Sequence, residues 1–259
     1  MEAYATLELA LADEVLTVGM KPQTDDTNIH WDLANLLESL RPREDVRVVI
    51  LTGTGEHFLT ARRREHYDSA KTVAGRVQPK ELWHTFTGIL RIHEALVQLE
   101  KPVIAKVNGT VSGLGASIMF GADLIVARED AEIVDSHMAA GEVEGYGAEF
   151  SVVPGDGGTA LIPMFLPPAL AKEALLLARK FTGKELAQYG AINYAVPADK
   201  LDETVNGLAR RLLMRSPYVL GWTKRAANRT IAAQMARSLD AGIGYEMVSF
   251  FLKDKGRTA

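Results

Sequence analysis

The feature that most restricts how this chain can fold is a strand-length run of branched residues that ends on glycine and recurs between helical stretches. Val48-Val49-Ile50-Leu51-Thr52 stops at Gly53-Thr54-Gly55, and Val103-Ile104-Ala105-Lys106-Val107 stops at Asn108-Gly109. Apolar runs of this length suit strands buried on both faces, and glycines at their ends let the chain turn sharply. The first run follows residues 30–40, where Leu33, Leu36, Leu37 and Leu40 share a helical face. The second follows residues 82–99, whose helical periodicity stops at Glu100-Lys101-Pro102.

Helix alternating with buried strand predicts a largely parallel sheet. A small and apolar run from Gly113 and Gly115 to Phe120 reads as a helix packed close to that sheet, and residues 124–127 as a further strand. Residues 5–18 alternate apolar and polar around Ala12-Asp13-Glu14, the pattern of an N-terminal hairpin. From Pro168 the pattern is mostly helical, over 169–179, 183–189, 201–215 and 216 to about 252, with Ser216 and Pro217 as N-cap and first helical residue. No repeat or low-complexity linker divides the chain. The predicted organisation is an α/β core over residues 1–198 and a C-terminal helical subdomain over 199–259.

With 259 residues, 47% of them hydrophobic and 24% charged, a sizeable core is available. The 29 basic and 33 acidic residues leave a formal net charge of -4, so no nucleic-acid partner is expected. The absence of cysteine removes disulfides, thiolate nucleophiles and Cys-based zinc sites, and agrees with a reducing compartment. Six scattered histidines with no HExxH or calcium-loop spacing predict no metal site. Met1-Glu2-Ala3-Tyr4 lacks a basic leader, and no apolar run approaches the roughly 20 residues of a membrane span. The expectation is a cytoplasmic protein with no membrane partner.

Two further stretches, Ile133-Val134-Asp135-Ser136-His137 and Val152-Val153-Pro154-Gly155-Asp156-Gly157-Gly158, follow the strands in the order and approximate spacing of one family. The chain resembles the crotonase, or enoyl-CoA hydratase/isomerase, superfamily over nearly its whole length. The resemblance implies an α/β fold with a crotonase-like ββα spiral core. It implies that the C-terminal helices serve oligomerisation, as a homotrimer or dimer of trimers. It also implies a small-molecule ketone or acyl-CoA substrate and no cofactor, with coenzyme A left open as a carrier of the substrate.

In that family two main-chain N–H groups hold a carbonyl oxygen as it gains negative charge. The resemblance places them on Arg62, in Phe58-Leu59-Thr60-Ala61-Arg62, and on Leu114, in the Val107 to Gly115 turn. Donors fixed before reaction stabilise developing charge without reorganising. A hydratase of the family has two glutamates sharing a water; in register, this chain has Ser117 and His137 there. A serine cannot divide acid and base work with a partner as a second carboxylate can.

His137 and Asp156 remain. An imidazole with an ordinary pKa near 6.5 takes protons close to neutral pH, and a bonded aspartate fixes its tautomer and steadies the imidazolium. The alternative is a strand-end histidine and an aspartate that caps the helix beginning near Gly157. One branch of the superfamily, the 6-oxocamphor hydrolase type, cleaves a carbon-carbon bond in cyclic β-diketones by a retro-Claisen route. Its early-helix histidine matches His30 and its late-helix glutamate matches Glu246, whereas its oxyanion-region histidine falls on Leu114. His30 and Glu246 also fit ordinary helix-surface roles.

Asp156 lies 19 positions after His137, a longer loop than the family's. The extra piece carries Glu142, Glu144, Tyr146 and Glu149, and serves as a lid, a source of a replacement carboxylate, or an exposed loop. Arg62, Arg63 and Arg64 form a basic run suited to phosphates or to plain solvation. The family's basic, Phe-containing C-terminal helix has no clear match after Phe250-Phe251-Leu252-Lys253, which weighs against coenzyme A. Three readings follow: hydrolysis of a C–C bond in a β-diketone or related ketone, hydratase or isomerase chemistry on an acyl-CoA, and a non-catalytic binding module.

Overall fold

The computed structural model describes residues 4–22, 29–60, 72–73, 76–77, 79–139 and 151–249. Arg62, Arg63, Arg64, Glu142 and Glu144 lie outside these residues.

The core is a six-stranded sheet in the order β1-β2-β3-β6-β8-β11, formed by Leu7–Ala12, Val15–Met20, Val48–Gly53, Val103–Val107, Leu124–Arg128 and Tyr194–Val196. The pair β1 and β2 is antiparallel, and all other neighbours are parallel. Two residues turn the hairpin, Asp13 and Glu14, both at positive φ (50° and 63°), the twist a tight hairpin needs. A small ladder joins β4, Thr72–Val73, to β5, Arg76–Val77.

Buried strands show their alternation in the packing. Val49, Leu51, Val103, Ala105, Val107 and Ile125 join the larger core on one face. Val48, Ile50, Ile104 and Val126 point to the other, where α7, Leu201–Leu213, lays Leu201, Val205 and Ala209. On the larger side α1, Ile29–Ser39, packs against α2, Pro79–Gln98. Each fully buried Leu, Ile or Val side chain contributes about 1.5–3 kcal/mol, so this two-faced burial is the main support of the frame that carries the site.

A second sheet builds the site. Strand β7, Val111–Ser112, runs parallel to β9, Glu132–Val134, which pairs antiparallel with β10, Phe181–Thr182. At Gly113 the backbone takes φ 55° and ψ -127°, a conformation side-chain-bearing residues avoid, and the chain turns directly into α3, Leu114–Phe120. Beyond these come α4 (Gly158–Phe165), α5 (Pro168–Leu177), α6 (Gly183–Gln188), α8 (Pro217–Ala227) and α9 (Arg229–Ser249).

The helical stretch predicted from 216 to about 252 is two helices. Asn228 ends the first: its Nδ2 donates to the Val97 carbonyl (3.2 Å) and to Asp123 Oδ1 (3.3 Å), tying the break to α2 and to the residue before β8. Ser216 occupies the N-cap of α8 as predicted, without a side-chain capping bond. Tyr194–Val196 is a strand in a region whose pattern reads as helical, too short for periodicity to reveal.

Candidate active site

Strand β9 delivers the central residue. After Val134 the chain enters a single 3-10 turn, Ser136–Met138, whose N-cap is Asp135. Asp135 Oδ1 accepts from the His137 main-chain N–H (3.2 Å) and lies 2.6 Å from His137 Nδ1. A short polar side chain at a helix start commonly satisfies the first N–H groups; here the same oxygen also orients an imidazole. His137 is therefore neither on a strand nor at its surface: it is buried in a turn that Asp135 shapes.

The other ring nitrogen faces two carboxylates. His137 Nε2 is 3.3 Å from Asp156 Oδ2 and 3.8 Å from Glu246 Oε1. The first lies just beyond the 2.6–3.2 Å of a well-formed acid/base contact, and the second is too long for a direct hydrogen bond. All four side chains are buried. Asp156 does not cap α4; that position belongs to Gly157, at φ 119°, and no side-chain capping bond forms. Its carboxylate instead turns inward, Oδ1 accepting from Ser117 Oγ at 3.1 Å. Ser117, at a position where the resemblance places a hydratase glutamate, thus holds a carboxylate supplied from elsewhere.

Glu246 arrives from the far end of the chain on α9, whose buried face repeats as Met235, Leu239, Gly242, Ile243, Glu246 and Met247. The loop before Asp156 packs so tightly on this helix that a Cβ at Gly155 would overlap the Gly242 carbonyl and Glu246 Cβ. Between the two, Val152 N–H donates to the His137 carbonyl (2.9 Å) and Val153 N–H to Ser249 Oγ (3.2 Å). These bonds bring His137, Asp156 and Glu246 together from three separate parts of the sequence.

Charge decides the state of the ring. Burial alone would lower the His137 pKa, but the negative charges of Asp156 and Asp135 and their hydrogen bonds outweigh it, and the pKa stands well above 6.5. Burial would raise Asp156, yet the charge and bond of His137, with smaller contributions from His93 and His30, hold it below its ordinary value. The carboxylates thus favour the imidazolium form of the ring, and the neutral, proton-accepting form is reached as pH rises through the raised pKa. His30, on the first turn of α1, acts on Asp156 through its charge.

The expected oxyanion donors are partly in view. Leu114 is the first residue of α3, where main-chain N–H groups have no partner within the helix. The Phe58-Leu59 segment runs beside β7, through Phe58 N–H to the Thr110 carbonyl and Ser112 N–H to the Leu59 carbonyl, both 3.0 Å. The loop leading toward Arg62 thus starts next to the loop that ends at Leu114.

Asp135 escapes the sequence reading although its signal was present, an aspartate two residues before a histidine at a strand end. Its role shows only once a turn brings the carboxylate back onto the ring.

An enoyl-CoA hydratase/isomerase family model matches residues 25–257, and the chain belongs to that family, the crotonase superfamily of enzymes. A carnitinyl-CoA dehydratase of Salmonella typhimurium is 28% identical over 211 residues, covering 81% of this chain and 74% of that protein. Among solved structures, an enoyl-CoA hydratase/isomerase from Mycobacterium paratuberculosis superposes with a TM-score of 0.83 at 23% identity, covering 96% of this chain and 95% of that one. A β-diketone hydrolase from Anabaena, solved with (S)-3-oxocyclohexyl acetic acid, gives 0.81 at 23% identity, covering 95% and 94%. The chain has the crotonase-type α/β fold. No helix among the described residues is long and apolar enough to cross a membrane.

Proposed function

We propose that this enzyme hydrolyses a carbon-carbon bond in a β-diketone or related ketone, with His137 as the proton carrier. The observation that carries the reading is the buried ring bracketed by Asp135 on Nδ1 (2.6 Å) and Asp156 on Nε2 (3.3 Å). Asp135 fixes the tautomer. Asp156 and Glu246 stabilise the imidazolium formed when the neutral ring takes a proton from water.

The hydroxide so generated attacks one carbonyl carbon. Collapse of the adduct breaks the bond to the α-carbon, and the electron pair passes into the enolate of the second carbonyl. Its oxygen is held by the main-chain N–H groups of Arg62 and Leu114. The imidazolium returns the proton to the α-carbon, so diketone plus water gives one keto acid and a neutral ring. His30 and Glu246 position the substrate or tune the ring, and Arg63, Arg64, Glu142 and Glu144 are proposed to bind the substrate. The same reading assigns α8 and α9 to contacts within a homotrimer or dimer of trimers and places the protein in the cytoplasm.

Incubation with a cyclic β-diketone, and separately with crotonyl-CoA, followed by mass spectrometry, tests the proposal. Ring-opened keto acid from the first is expected, lost in His137→Ala. Hydration of crotonyl-CoA without ring opening would transfer the carboxylates to acyl-CoA chemistry. No turnover of either would favour a binding module, and undiminished turnover by His137→Ala would overturn the role of the ring.

A further inference from the structure

A third imidazole lies behind the site. His93, on α2, has no exposed surface and sits in the apolar stripe of Ile89, Ile92 and Leu96. Its Nδ1 is 2.8 Å from the Ile89 carbonyl. A carbonyl can only accept, so Nδ1 carries the hydrogen and Nε2 the lone pair. Nε2 has no hydrogen-bond partner among the described residues. A buried histidine lacking half of its bonds costs stability and calls for a reason.

The reason lies in what Nε2 touches. It fills the space beside Gly157 where any other residue would place its Cβ, and Ser117 Cβ closes the other side of that space, 2.8 Å from the same point. Gly157 follows Asp156, and Ser117 is the residue bonded to Asp156 Oδ1. Gly157 stands at φ 119°, a backbone state other residues rarely adopt, so the turn carrying Asp156 is held by contact from behind.

We infer that His93 is a positioning residue: its neutral ring wedges the Asp156-Gly157 turn and so aims the Asp156 carboxylate at His137. This deepens the proposed reading of the site and rests on Asp156 acting through His137. Burial keeps His93 below its ordinary pKa against the smaller raising effects of Ile89 and Asp156, which maintains the neutral form the wedge requires. The charged groups that face His137 are Asp135 from its own turn, Asp156 from the loop before α4 and Glu246 from α9, the two aspartates being those that raise its pKa. His93 from α2 and His30 from α1 act on it through Asp156.

The test uses histidine-labelled full-length protein and two-dimensional NMR, which needs no substrate and therefore stands whether or not the proposed reaction is found. In the wild type His93 should remain the neutral Nδ1–H tautomer from pH 6 to 9; an Nε2–H tautomer or a titration near 6.5 would overturn the proposal. In His93→Leu, folded by circular dichroism, the His137 midpoint should fall by about one unit, a tenfold loss of proton affinity. On an active substrate kcat should fall about tenfold with KM within twofold. His93→Gln, which keeps a donor for the Ile89 carbonyl, should shift the midpoint less. A folded His93→Leu protein with the wild-type midpoint and pH profile would reduce His93 to core packing.

Discussion

Two buried ionic clusters can be compared in this molecule, and they are built on opposite plans. At the starts of the central strands β6 and β8, Lys224 of α8 meets Asp123 (2.7 Å) and the Lys101 carbonyl (3.0 Å). Asp123 also accepts from Val103 N–H (2.7 Å) and Asn228 Nδ2 (3.3 Å). One ammonium answers one carboxylate, and hydrogen bonds use both carboxylate oxygens. Around His137, one ring faces Asp135, Asp156 and Glu246 at 2.6, 3.3 and 3.8 Å. Asp135 Oδ2 has no hydrogen-bond partner among the described residues.

Burial governs the first cluster, raising Asp123 and lowering Lys224 against their mutual attraction; charge governs the second, where carboxylates lift His137 in spite of burial. Balance marks a staple between helix and sheet. Excess negative charge around one buried ring is the arrangement that the proposed reaction, and not the resting fold, calls for.

The comparison is sharpened most by removing the central cation of each cluster. His137→Ala should lower kcat on the active substrate by about 10²–10⁴-fold, the usual contribution of a positioned acid or base, while circular dichroism shows an intact fold. Lys224→Met should do the reverse. Leaving Asp123 buried alone costs about 3–5 kcal/mol in denaturant titration, kcat of the folded fraction is unchanged, and adding Asp123→Leu restores most of the loss.

Smaller effects probe the charge imbalance. Asp135→Asn should move the rising limb of kcat/KM to lower pH and lower its plateau, because the ring loses one of the charges that raise it. Glu246→Gln should leave the melting temperature unchanged or higher while slowing turnover, since it removes one of several like charges. A fall in melting temperature would mean that Glu246 supports the fold.

Stability should follow pH through the same groups. His137 is raised, so its contribution is complete below about pH 6.5 and is lost as pH climbs through its folded value; Asp156 is lowered, so its side of the shared ion pair is lost as pH falls through its own folded value. Thermal scans should show the wild type losing an advantage over His137→Phe as pH rises above 6.5.

Much of the frame was readable from residue pattern. The runs ending at Gly53 and Asn108, and the leucine stripe of α1, decide strand and helix without tertiary help. Tyr194–Val196 and the break at Asn228 were not readable, because the first is three residues long and the second depends on Val97 and Asp123, remote in sequence. In the site, His137, Asp156 and Glu246 are all legible from the sequence, and the structure brings them together. Asp135 and His93 are not, since their roles depend on a tight turn and on a wedge behind Gly157. Sequence spacing marks residue types suited to chemistry, but which oxygen faces which nitrogen is settled by packing.

The most direct measurement is the titration of the His137 ring by NMR beside the pH dependence of kcat/KM on a cyclic β-diketone. A midpoint well above 6.5 that coincides with the rising limb, both moving together in Asp135→Asn, is the predicted result. A ring that titrates at or below 6.5, or a rate indifferent to its protonation, would contradict His137 as the proton carrier.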